Sequence, residues 1–264
     1  MRSIRLGAVL VGLLAVGVTP AAAAPASHGQ FLQTTTFNAN QSTNWFGYNI
    51  GTLERGTTLF NSITGDWTVP AASQHKAATA ESSSDWIGIG GGCVDAGCTA
   101  GDNTLIQTGT EQDVSATGQA SYGSWWEIIP GPSISTGMTI AAGDHMHASV
   151  AEAVPNSNVW TITLKDVTRG ETFTQTVPYS STHATAEWIE ETPLTFGTGG
   201  AGLAALPNLT NPAFSASTVN GAPAALSASE EMFLTDSSGK VIGAPSAPNA
   251  TRDGFSACTW ATSC

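Results

Sequence analysis

Two short stretches carry the residue types from which a hydrolytic site can be made. The first is LIQTGTEQDVSATGQASYGSWWEIIP, Leu105 to Pro130, where an amide, Gln107, and a carboxylate, Glu127, sit among Tyr122, Trp125 and Trp126. Aromatic walls with a few polar groups make a substrate cleft, although the same aromatics could simply fill a sandwich interior. The second is TAEWIEET, Thr185 to Thr192. In a strand, alternation puts Glu187, Ile189 and Glu191 on one face and Trp188 and Glu190 on the other. Acids beside Ile189 do not suit a dry core, because an unpaired buried carboxylate is expensive. On a concave, half-open face they could serve as general acid and base. On a solvent-facing strand they would only accompany an inward Trp188. Spacing alone does not choose between these.

Other chemistries have weaker support. There is no G-x-S-x-G, no lone reactive cysteine and no evident histidine partner for a serine. His145 and His147 flank Met146 and would share one strand face after Asp144, but no third ligand has metal-site spacing, so solvent-facing strand residues are expected. His28, His75 and His183 lie in loop-like contexts. The cysteines fall as two close pairs, Cys93/Cys98 and Cys258/Cys264. Three connectivities are open, and two local loops is the simplest. These are structural staples rather than metal ligands.

The positioning elements read as β-strands. Leu105 to Pro130 makes two of them, with Thr108-Gly109 as turn formers beside Gln107 and Pro130 as a stop. Further strands are expected at Asn44 to Ile50, Thr58 to Val69, Asp85 to Ile89, within Ser135 to Val150, and at Asn158 to Asp166 paired with Glu171 to Val177. Thr185 to Thr192, Ala213 to Val219, Glu231 to Thr235, Lys240 to Ala244 and Gly254 to Trp260 complete the series. AASQHKAATAESSSD, ending at Asp85, reads as a Ser/Ala-rich surface loop, and Gly197 to Gly202 as glycine-rich loops. No sustained helical period occurs after the N-terminal segment. The expectation is one all-β domain over 44–264, a jelly-roll or concanavalin-like sandwich of two antiparallel sheets.

The N-terminus has the form of a secretory signal, 1–24: Arg2 and Arg5, an apolar run from Leu6 to Val18, then small residues ending at Ala24. A polar segment, 25–43, follows as a flexible mature N-terminus or very short pro-segment. Removing the signal leaves 6 Lys+Arg against 20 Asp+Glu, a formal −14. That balance disfavours nucleic acid, which needs a basic face. The expected protein is secreted, monomeric and off the membrane once the signal is cleaved. So few basic groups also limit self-repulsion in acid.

The motifs in order resemble those of the glutamic peptidases, or eqolisins, exported acid endopeptidases. The resemblance rests on Asn44-Trp45 with Gly47, Gly65-Asp66-Trp67-Thr68-Val69-Pro70, Trp86-Ile87-Gly88-Ile89, Ile106-Gln107-Thr108-Gly109, and Tyr122 with Trp125-Trp126-Glu127 and Pro130. It continues through Gly143-Asp144, Ala186-Glu187-Trp188-Ile189 with Glu191, and Asp253-Gly254-Phe255-Ser256 with Trp260. It implies a curved sandwich with a substrate groove on its concave face, peptide or protein substrates and no cofactor. It also implies Gln107 and Glu191 as the catalytic pair. Trp45, Trp86, Trp125, Glu127 and Glu187 are implied as substrate-binding or supporting positions. The chain departs from the family at Gly90, Gly123 and Ile129, where many members have acids and a tyrosine, and Glu111 replaces an aspartate. A sandwich that only binds peptide or glycan through its aromatic groove is the alternative, and a glycosidase using Glu187 and Glu191 is a more distant one.

Overall fold

The computed structural model describes residues 26–27, 40–197, 200–210 and 212–264. The signal-peptide reading and most of the 25–43 segment lie outside the described residues.

Among the described residues, thirteen strands of five residues or more carry the fold, and no α-helix is present. They are β1 (Trp45–Gly51), β2 (Ser62–Thr68), β3 (Glu81–Gly90), β4 (Leu105–Val114), β5 (Ala120–Ile128), β6 (His145–Glu152), β7 (Val159–Asp166) and β8 (Glu171–Pro178). After these come β9 (Thr185–Glu191), β10 (Ala213–Val219), β11 (Glu231–Thr235), β12 (Val241–Pro245) and β13 (Phe255–Thr259). Hydrogen bonding runs continuously in the order β8-β7-β6-β2-β10-β13-β12-β11-β1-β9-β3-β4-β5. The pairs between these strands are antiparallel. The ladder folds over on itself, so that β2, β6 and β7 pack face to face with β3 and β4. The result is a two-layer sandwich whose layers are joined along one edge.

The main core lies between the layers. Alternate residues of β2, β6 and β7 point into it (Ile63, Trp67, Met146, Val150, Trp160, Leu164) and meet Phe46, Tyr48, Ile87, Ile106 and Trp188 from the other layer. Their neighbours on β6, His145 and His147, are exposed, as expected of solvent-facing strand residues. Both imidazoles bond to Asp66, at 3.0 and 2.5 Å, and no group of His, Cys, Asp and Glu among the described residues is arranged to hold a metal ion.

Three local expectations change. Thr108 and Gly109 lie inside β4 rather than in a turn. The Ser-rich run Glu81 to Asp85 is buried strand, not surface loop. Its hydroxyls and the Asp85 carboxylate find partners on β4, such as Ser83 to Gln112 and Ser84 to the Thr110 carbonyl, and Glu81 accepts from the His75 and Lys76 N–H groups, which is what makes polar burial tolerable. The Gly197 to Gly202 stretch contributes to the strand pair Leu194–Gly197 and Gly200–Leu203. Both disulfides are local, Cys93–Cys98 and Cys258–Cys264.

Candidate active site

A second apolar cluster, Trp45, Trp86, Leu105, Trp125 and Ile189, lies on the face of β1, β9, β3, β4 and β5 turned away from the main core. Strand register arranges that face as three rows. The first runs Asn49, Glu187, Gly88, Gln107, Glu127. The middle row is Gly47, Ile189, Trp86, Gly109, Trp125. The third is Trp45, Glu191, Ser84, Glu111, Gly123. Two polar rows thus flank an aromatic one. The alternation that puts Glu187, Ile189 and Glu191 together is borne out, but no face of β9 is exposed.

Glycines make this surface possible. A Cβ at Gly109 would stand 2.2 Å from the Asp85 carbonyl oxygen and 2.5 Å from Trp86 Cβ, so the glycine of Q-T-G lets β4 approach the Trp86 side chain. A Cβ at Gly47, where φ is +142°, would meet the Trp188 carbonyl oxygen at 2.2 Å.

Three hydrogen bonds orient polar groups in the rows. Trp86 Nε1 donates to Glu191 Oε2 at 2.8 Å, and Gln107 Nε2 donates to Glu127 Oε2 at 2.8 Å. Trp125 Nε1 donates to Ser84 Oγ at 3.0 Å. Trp45 meets Trp86 edge to face, ring centroids 4.8 Å apart. Trp45, Trp86, Gln107, Glu127, Glu187 and Glu191 are all fully buried. Gln107 and Glu191 share the face without sharing a row. The Trp86 row lies between them in the register.

Glu187 behaves differently from Glu191. Its carboxyl lies under the stapled loop, where a Cβ on Gly92 would stand 2.6 Å from Glu187 Oε1. Desolvation pushes it well above the usual carboxylate range; the Thr185 hydroxyl opposes the rise and the Asp102 carboxylate adds to it. The two acids of the TAEWIEET strand therefore occupy separate environments. Ser84 and Asn49 belong to the same rows but carry no sequence signature of their own.

The departures from the family pattern have local reasons. Glu111 lies opposite Gly123, and a Cβ there would be 2.5 Å from Glu111 Oε1. The longer Glu111 thus fills the space beside residue 123. Gly90 has φ +95°, and a Cβ on it would stand 2.0 Å from the Thr104 carbonyl oxygen, which excludes a side chain.

No curated protein sequence matches the chain. Among solved structures, scytalido-glutamic peptidase with a transition-state analog inhibitor superposes with a TM-score of 0.64 at 19% identity, over 82% of this chain and 98% of that one. SCP-B, an eqolisin solved in complex with the tripeptide Ala-Ile-His, gives 0.57 at 18% identity over the same shares. Aspergilloglutamic peptidase from Aspergillus niger gives 0.53 at 23%, over 68% of this chain and 99% of that one. At these identities the likeness is one of fold. The family model of the peptidase A4 family matches residues 43–251. With most of its length matched, this chain belongs to the peptidase A4 family, the glutamic peptidases or eqolisins, which hydrolyse peptide bonds.

Proposed function

We propose that the protein is an exported endopeptidase working in acid, with Glu191 as general base and acid and Gln107 as the oxyanion donor. The observation that carries this is the pair of buried orienting bonds, Trp86 to Glu191 and Gln107 to Glu127, on one face of one sheet. A glutamate has an ordinary pKa of about 4.3 and so is ionised in mild acid. Glu191 takes a proton from a water whose oxygen attacks the scissile carbonyl carbon. Glu127 orients the Gln107 amide, and an N–H of that amide is assigned to the oxygen that becomes negative. Glu191 then returns its proton to the amide nitrogen as the C–N bond breaks. The proton count closes without a cofactor. Trp45, Trp86 and Trp125 supply apolar wall for a peptide chain. Two formed disulfides suit an oxidising, extracellular setting.

The test is digestion of an unfolded protein across a pH series by wild type, Glu191→Gln and Gln107→Ala. Glutamine keeps the size of Glu191 but accepts no proton, so cleavage should fall by about 10²–10⁴-fold. Losing the Gln107 donor should cost about 10²–10³-fold. Undiminished cleavage by folded Glu191→Gln removes the assignment. A folded wild type that cuts nothing at any pH leaves the face as a binding surface.

A further inference from the structure

The inner face of the same strands holds carboxyls that the proposed chemistry does not use. Glu190, on the opposite face of β9 from Glu191, lies opposite Asp85 of β3. The two side chains meet in a hydrogen bond, both fully buried. Phe46 of β1 stands on the far side of Glu190, and Thr110 then Ser124 continue the row beyond Asp85. Gln112 Nε2 donates to Asp85 Oδ2 at 2.8 Å, and Ser83 Oγ donates to Gln112 at 3.0 Å. From the opposite layer, the Trp67 indole reaches Thr110 Oγ1 at 2.9 Å. The charged group on the far side of β9 is Glu191, and no Lys, Arg or His among the described residues acts on either carboxyl. With both ionised, the neutral Gln112 amide on Asp85 and the neutral Ser83 hydroxyl on Glu190 would be the donors left to two adjacent buried charges. A single shared proton removes the repulsion and makes the bond.

We propose that Asp85 and Glu190 form an acid lock, a proton-sharing pair that ties β3 to β9 directly behind Trp86 and Glu191. When the proton leaves near neutrality, the strand pair and the Trp86–Glu191 contact loosen. Burial, the largest influence, pushes Asp85 up to about 6 against the hydrogen bonds from Glu190 and Gln112. Burial also drives Glu190 well above the carboxylate range, and the neighbouring Asp85 charge adds to it. Unfolded, both titrate near the usual ~4. A raised folded pKa stabilises fully below the unfolded value, and that contribution is lost as pH rises through the folded one. Stability is therefore lost from about pH 4 upward, through about 6 and beyond.

Thermal unfolding of wild type, Asp85→Asn, Glu190→Gln and the double variant between about pH 4 and about pH 7 tests the lock. The wild-type midpoint should fall by several degrees over that interval, and the double variant's by less than half as much. An equal fall in both, or none in wild type, overturns the proposal. If the double variant does not fold, infrared spectroscopy of Glu187→Gln decides. The carbonyl band of an un-ionised carboxyl must persist at about pH 5.5, where exposed carboxyls are ionised, and its absence overturns the proposal. Activity surviving incubation at about pH 7, relative to each protein's own value in acid, should be greater in the double variant. That arm alone rests on the peptidase reading. If unfolding follows the lock while no protein cleaves peptide, the function fails and the lock stands.

Discussion

Trp86 is the residue that orients Glu191 on the aromatic face. Its indole N–H holds one Glu191 oxygen at 2.8 Å, while its ring packs against Trp45. A hydrogen bond to a carboxylate favours the charged form, and a general base must be charged to act. Trp86→Phe keeps most of the ring and deletes the donor. The acid limb of its kcat/KM profile should move to higher pH, with the loss greatest at the acid end, as a pH–rate comparison with wild type would read. An unmoved limb would mean that Trp86 serves only as wall. Glu187 gives the complementary case. Because burial already favours its neutral form, Glu187→Gln replaces a protonated acid with a neutral isostere. Wild type is penalised relative to this variant only where the unfolded chain ionises. The variant should thus unfold a few degrees higher at about pH 7 and no differently at about pH 3.

At the scale of strands, the glycines separate positions that can regain an acid from those that cannot. Gly90→Asp would force a side chain into left-handed φ and against the Thr104 carbonyl, both fixed backbone. It should lose about 3 kcal/mol or more of stability in a denaturant titration. At Gly123 the obstacle is the flexible end of Glu111, so Gly123→Ala should stay within about 1 kcal/mol. Gly123→Asp should be tolerated in acid and less so at neutral pH, where two carboxylates would crowd one another. These contacts also mark what the sequence could disclose. Gln107, Glu191 and the alternation along β9 were legible because they follow from motif order and a period of two within one strand. Glu81 to Asp85 was not, because serine runs indicate loops unless partners on a neighbouring strand satisfy them, and those partners lie 26 to 31 residues downstream. The Asp85–Glu190 pair was hidden for the same reason at longer range, since each acid alone looks like a surface residue and only register joins them. The turn reading of Thr108-Gly109 failed because Gly109 answers a close strand approach instead of a positive φ.

For the molecule as a whole, the carboxyls raised by burial and those lowered by hydrogen bonds, Glu152 among the latter, pull stability in opposite pH directions, and their environments decide which prevails. Burial raises Glu187, Glu190 and Asp85, all fully buried, and Glu230 and Glu231 to a lesser degree. All of these favour the folded state in acid and lose that contribution as pH rises. Asp95, Asp236 and Asp253 are lowered, chiefly by side-chain hydrogen bonds from Thr99, Ser238 and Thr251, and would weaken the fold as acid protonates them. They sit at the surface, where water and salt screen such interactions, so their share is small. Repulsion among cations, the usual further cause of acid unfolding, is limited to 8 Lys+Arg and 5 His in 264 residues. The balance predicts a stability maximum on the acid side. Circular dichroism melts should place the midpoint at about pH 3–4 above that at about pH 7, with native near-ultraviolet signal retained from the buried tryptophans. Added salt at low pH should change the midpoint little, because there is little charge to screen. A melt highest near neutrality would show instead that the exposed carboxylates outweigh the buried acids.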